Sequence, residues 1–152
     1  MIREKSYGAI IFRKEKKEYF VLLLRYKRDN NEYWDFPKGH AERDENALEA
    51  VEREVFEETG IKEIHFVEKF KESISFFFKR DGELISKVVD FYIAITSQKE
   101  VNISFEHLDY KWCTIEEANE IMKFKNSKEV LEKAYDFLQK NKIDFQKNLD
   151  EY

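Results

Sequence analysis

Apolar and polar positions fall into short blocks along the chain. Residues 7–13 (YGAIIFR) and 19–26 (YFVLLLRY) are compact apolar runs rich in β-branched and aromatic types, which predicts two buried strands. The charged stretch 14–18 between them joins the two as a hairpin. A second hairpin is predicted from 66–80 and 83–96, with Asp81-Gly82 as its two-residue turn. Residues 111–113 predict a short further strand. Thr114 and Glu117 then have capping-box spacing, so a helix starts there. A last helix is predicted from near Ser127, because Val130, Leu131, Ala134, Phe137 and Leu138 recur on one face. Strands, a helix, more strands and then helices imply an α/β (α+β) architecture, a mixed sheet covered by helices on both sides.

The helix between the hairpins is unusual. Residues 39–61 read GHAERDENALEAVEREVFEETGI and crowd eight acidic side chains into 23 positions. Asp44 is predicted as its N-cap, with Glu45 next favourable to the helix dipole, and Gly60 as the stop after Thr59. At about 100° per residue, Leu48, Val51 and Val55 form the buried stripe. Glu45, Glu49 and Glu52 share one flank with Phe56 and read as solvated acids. Glu54, Glu57 and Glu58 take the other flank, beside the small Ala47 and Ala50. Spacings of three and four let those three carboxylates converge. Like charges so close repel or shift their pKa upward unless a cation intervenes, and oxygen ligands alone suit magnesium or manganese. Arg53, one turn before Glu57, can orient it.

Bulk composition narrows the class. A chain of 152 residues with 2 Trp, 8 Tyr and 14 Phe can bury a core, and it is predicted to be one domain, 1–152. The single cysteine, Cys113, excludes an internal disulfide framework and predicts a reducing cytoplasm. No run has transmembrane length, and MIREK opens the sequence with charges instead of a signal peptide. The net charge of −5 argues against a broad nucleic-acid surface, though not against an anionic substrate held locally.

The residues Gly39, Glu45, Arg53, Glu54, Val55, Glu57, Glu58, Gly60 and Ile61 match the pattern Gly-x5-Glu-x7-Arg-Glu-apolar-x-Glu-Glu-x-Gly-apolar without departure. The chain thereby resembles the Nudix hydrolases, with residues 39–61 as the Nudix box. Two flanking segments, WDFPKGH (34–40) and FEHLDYKW (105–112), resemble those of the asymmetric diadenosine tetraphosphate hydrolases within that family. Phe36 departs, standing where many relatives have leucine.

The resemblance implies an α/β/α sandwich that hydrolyses a phosphoanhydride, here of diadenosine tetraphosphate to ATP and AMP. Glu54, Glu57 and Glu58, the Gly39 carbonyl and Glu106 are then the expected ligands of magnesium or manganese. Glu58 is the expected base, with Glu54 as the alternative and Arg53 in support. Lys38 and His40 sit where phosphate would pass; Lys79, Arg80 and Lys87 either reach distal phosphates or line an ordinary sheet edge. Tyr110, then Trp34, are the candidate adenine clamps, whereas Phe76, Phe77, Phe78 and Trp112 are expected in the core. Cys113 is expected as a small buried hydrophobe. The alternatives are a pyrophosphohydrolase of RNA 5′ ends or nucleoside triphosphates, and a nucleotide sensor without turnover. The expected partner is a small nucleotide, with no membrane, for a monomer or homodimer.

Overall fold

The computed structural model describes residues 1–143 and 145, and its strands form one eight-stranded mixed sheet. β1 (Ile2–Glu15) and β2 (Glu18–Arg28) make the first predicted hairpin, with Phe12 opposite Val21. Two short strands follow, β3 (Asn31–Asp35) on β2 and β4 (Lys38–Gly39) on β1. Neither was predicted, because both are too short and polar to show a period. After β5 (His65–Phe66), the second hairpin is β6 (Glu72–Arg80) and β7 (Glu83–Ile95). Its turn has positive φ at both Asp81 (52°) and Gly82 (79°), the geometry that suits the right-handed twist of a hairpin. Residues 67–71 leave the sheet between β5 and β6, dividing the predicted span 66–80, and Val67 and Phe70 turn inward there. β7 lies parallel to β1, from Ile2 opposite Ile85 to Phe12 opposite Ile95, and β8 (Asp109–Thr114) pairs with β2.

Helices cover both faces, as predicted. Successive strand residues point to opposite sides, so in the run 9–12 Ala9 and Ile11 meet one helix layer while Ile10 and Phe12 meet the other. Burial on both faces is why this run shows no polar alternation. α1 (Ala47–Thr59) packs Val51 and Val55 with Ile11, Leu22, Leu24 and Ala94. α2 (Ile115–Ile121) and α3 (Lys125–Lys140) pack Ala118, Met122, Val130, Leu131, Ala134 and Leu138 on the other side. Among the described residues, no helix is long and apolar enough to cross a membrane.

Helix ends differ from expectation in instructive ways. The α1 N-cap is Asn46 and not Asp44: Asp44 has φ of 70°, left-handed, whereas Asn46 is extended and accepts from Glu49 N at 2.9 Å. Glu49 returns the bond to Asn46 N, completing a capping box. Leu48 leaves the buried stripe and is 40% exposed, because the segment before α1 is itself exposed and offers its first turn no wall. Gly60 is the predicted stop, at φ 73°, donating to Phe56 O at 2.9 Å. Thr114 and Glu117 form the predicted capping box of α2. α3 starts at Lys125, two residues earlier than Ser127, and its N-cap Phe124 supplies no side-chain bond.

One buried charge crosses the sheet. Asp90 on β7 is 2% exposed, accepts from Ser73 Oγ at 2.5 Å, and pairs with Lys5 at 3.1 Å and Lys71 at 3.5 Å. Burial pushes its pKa up, but the Ser73 and Lys5 bonds and the lysine charges outweigh that, leaving it below its ordinary 3.8. A lowered folded-state pKa stabilises above the unfolded value, and that stabilisation disappears as pH falls through the folded value. Asp90→Asn is therefore expected to cost roughly 2 kcal/mol at pH 7. Urea unfolding of both proteins at falling pH should show the gap narrowing below the ordinary value of 3.8; a constant gap would remove the ion pairs as its cause.

Candidate active site

The last carbonyls of a helix lack intrahelical donors. At the end of α1 the segment after β7 supplies them: Asn102 N donates to Thr59 O at 2.8 Å and Ser104 N to Glu58 O at 3.2 Å. His107 N then donates back to Ser104 O at 3.1 Å, and Leu108 N reaches Arg25 O of β2 at 2.9 Å. This docking carries Glu106 and His107 to the side chain of Glu58. Glu58, Glu106 and His107 each offer a ligand atom within 4.8 Å of the others. His107 Nε2 lies 3.3 Å from Glu58 Oε1, and the imidazole packs edge-on against Tyr26 with centroids 4.7 Å apart. Glu58 Oε2 and both ring nitrogens of His107 are buried without a hydrogen-bond partner. Burial raises the Glu58 pKa, against the lowering effect of His107 and of the Lys38 main chain. Glu106 is the ligand expected from its motif; its neighbour His107 joins the cluster only through docking against Glu58.

Glu54, Glu57 and Glu58, grouped by helical spacing, are divided by their partners. Arg53 uses every N–H it has. Nε and Nη2 donate to Glu45 at 2.6 and 3.0 Å, Nη1 to Glu54 at 2.9 Å and Glu57 at 3.1 Å, and Nη2 also to His40 O at 2.9 Å. The Glu45 bonds chiefly raise the Arg53 pKa, so it stays charged. Glu45 was expected to be merely solvated; instead it anchors this guanidinium, while Glu49 and Glu52 do face solvent. The Glu57 side chain is 53% exposed and Glu54 18%. Burial raises the Glu54 pKa despite the Arg53 bond.

Gly39 lies against Glu54. A Cβ built there would fall inside the Glu54 carboxylate, so only glycine leaves that acid its place. His40 is exposed, with Nδ1 2.9 Å from Lys5 O and Nε2 3.8 Å from Glu4. Unpartnered buried oxygen at Glu58, with Glu106 and His107 in ligand range of it, fits a divalent cation, and Gly39 leaves Glu54 room nearby on the same helix.

Beside this cluster opens a cavity of about 370 Å³. Its walls are aromatic (Tyr33, Phe76, Phe77, Phe78 and Phe124) and its cations are Arg28, Lys38 and Lys87. Tyr33 stacks on Tyr26 at 5.3 Å and meets Phe124 edge-on at 5.2 Å. Burial, then the facing charge of Lys38, lowers the Lys87 pKa. The expectation that Phe76, Phe77 and Phe78 fill the core holds only in part: Phe76 packs against the core, all three line the cavity, and Phe77 is 64% exposed. Tyr110 and Trp34, the candidate clamps, pack against the two cores and are not among the cavity residues. Trp112 is partly buried on the α1 side, with Nε1 donating to Lys99 O at 2.8 Å. Arg80 pairs with Glu4 and does not line the cavity; Lys79 is an exposed sheet residue. Cys113 is buried and free, its thiol pushed up to about 11 by desolvation.

Residues 3–134 match the NUDIX domain. The chain belongs to the Nudix family. Among curated relatives, the bis(5′-nucleosyl)-tetraphosphatase [asymmetrical] of Mus musculus is 31% identical over 142 residues, covering 86% of this chain and 92% of its own. That of Caenorhabditis elegans is 30% identical over 137 residues, covering 88% and 96%. The crystal structure of a C. elegans Ap4A hydrolase binary complex superposes with a TM-score of 0.77 at 30% identity, covering 89% of this chain and 97% of that one. The protein is a Nudix hydrolase homologous to these enzymes.

In this Nudix site, Gly39→Ala is expected to displace the flexible Glu54 side chain while the fold stays intact. Magnesium affinity by titration calorimetry should fall roughly 10-fold with little change in the urea midpoint. Unchanged affinity would show that the Glu54 position does not matter to the ion.

Proposed function

We propose that this Nudix hydrolase cleaves a phosphoanhydride of a dinucleoside polyphosphate, diadenosine tetraphosphate, to ATP and AMP. One observation carries the reading: Lys38 joins the acid cluster to the cavity. Its main chain lies close enough to Glu58 to lower that acid's pKa, while its side chain lines the aromatic and cationic cavity beside Lys87. A purine between aromatic walls would thus extend its phosphates past two ammonium groups toward Glu58. The homologous tetraphosphatases, matched over most of both chains, support the same substrate class.

Residue roles follow from placement. Glu54, Glu57, Glu58 and Glu106, with the Gly39 carbonyl, would hold the cation, magnesium or manganese. When bound, that cation supplies neutralising charge for the phosphates and acidifies the attacking water. Glu58 takes the proton of the water as its oxygen bonds to phosphorus, while the bridging P–O bond breaks and the leaving phosphate keeps the electron pair. Arg53, with all its N–H groups committed, orients Glu54 and Glu57 and does not touch substrate. Lys38 and Lys87 bind phosphate. Tyr33, Phe76 and Phe124 take the base in place of Tyr110 and Trp34. His40 contributes through its carbonyl, which holds Arg53.

Glu58→Gln is expected to lower kcat by roughly 10²- to 10⁴-fold with a smaller change in KM. Full activity in that variant would exclude Glu58 as the base. A substrate panel of diadenosine tetraphosphate, nucleoside triphosphates and 5′-triphosphorylated RNA decides the class. Faster turnover of either alternative would overturn the dinucleoside assignment, and binding without turnover of any would favour a sensor.

A further inference from the structure

The cavity walls come from β3, β4, β6, β7 and the start of α3, and one carboxylate ties three of these together. Asp35, the last residue of β3, is 3% exposed and lines the cavity. Its Oδ1 accepts from Phe36 N at 2.9 Å and from Ser127 Oγ of α3 at 3.0 Å. Its Oδ2 accepts from Lys38 Nζ of β4 at 3.2 Å. Ser127 is itself buried, 1% exposed, in the first turn of a helix whose N-cap, Phe124, makes no side-chain bond. The Asp35 contact thus tethers this end of α3 to β3, and its negative charge suits a helix N-terminus. Phe124, immediately before that turn, packs edge-on against Tyr33 in the cavity wall.

We propose that Asp35 is a positioning residue for substrate binding, holding the Lys38 ammonium and the Phe124 wall in register so that phosphate and base are met together. This rests on the proposed nucleotide reading of the cavity. Lys38 has three N–H donors, and with one held by Asp35 the others remain directed by a fixed, charged acceptor. Without it, a lysine side chain recovers rotamer freedom that binding must then remove. Ser127 acts through the other oxygen on Phe124. The substrate feature selected is a base joined to phosphate at the separation these two groups set.

Asp35→Asn keeps the size; with its Oδ1 still accepting from Phe36 N and Ser127 Oγ, the amide turns its N–H groups toward Lys38 and breaks that tether. The test compares wild type, Asp35→Asn, Lys38→Ala and the double variant with diadenosine tetraphosphate. Asp35→Asn should raise KM roughly 10-fold, the scale of one charged hydrogen bond, and change kcat far less. In the Lys38→Ala background the same change should raise KM by less than about 2-fold, because the tether that Asn breaks leads to Lys38, while the Ser127 contact is kept. Equal effects in both backgrounds, or an unchanged KM, would overturn the proposal. If Asp35→Asn fails to fold, Ser127→Ala replaces it: KM should rise with Phe124 present and stay level in the Phe124→Ala background. Equal rises there would likewise overturn it. A wild-type protein inactive on diadenosine tetraphosphate would sink the substrate assignment alone. The same four proteins are then compared by calorimetric affinity for ATP, where additive losses would reject the role of Asp35.

Discussion

A single guanidinium makes the acidic face of α1 compatible with folding. Carboxylates at spacings of three and four on one helix repel, more so where water is partly excluded. Arg53 meets that repulsion with five donated hydrogen bonds, to Glu45, Glu54, Glu57 and the His40 carbonyl. Its planar fork is what allows one residue to satisfy several acceptors, a task for which a lysine has the charge but not the geometry. Because Glu45 precedes the helix and His40 belongs to the segment after β4, the same bonds fasten α1 to the strand that leads into it.

The carboxylate of Glu58 is out of reach of Arg53. Glu58 is 6% exposed, with one oxygen unpartnered and a histidine that does not fully pair it. Leaving a buried carboxylate oxygen without a donor is costly, and a cation is the natural complement. The arrangement arises from an ordinary backbone demand: the open carbonyls at the end of α1 recruit Asn102 and Ser104, and the recruited segment brings Glu106 and His107. The cavity follows a similar logic, since Asp35 satisfies Lys38 and Ser127 at once and so joins a strand end to a helix start.

Much of this was legible in the chain. Both hairpins, the Asp81-Gly82 turn, the end of α1 at Gly60, the Thr114–Glu117 capping box and the two-sided burial were all visible as local patterns. So were the family and the acids of its box. The misses share a cause. Asp44 and Asn46 are both good N-caps by type, and only the left-handed backbone at Asp44 decides between them. Glu45 looked solvated because its partner lies eight residues on, beyond helical neighbour spacing. Phe77 and Phe78 read as core along with Phe76 because an aromatic run carries no sign of which rings line a cavity.

Sequence alone determined the kinds of chemistry present and their local order: glutamates on a helix, cations before it and on a later strand, aromatics in a hairpin. These follow from bonding within a turn or between adjacent strands, which nearby residue types control. Tertiary structure alone decided which groups meet. Ser127 and Asp35 touch across 92 positions, and His107 reaches Glu58, because sheet register and helix docking bring distant segments together. No residue encodes that register by itself; it is settled by burying both faces of one sheet at the same time.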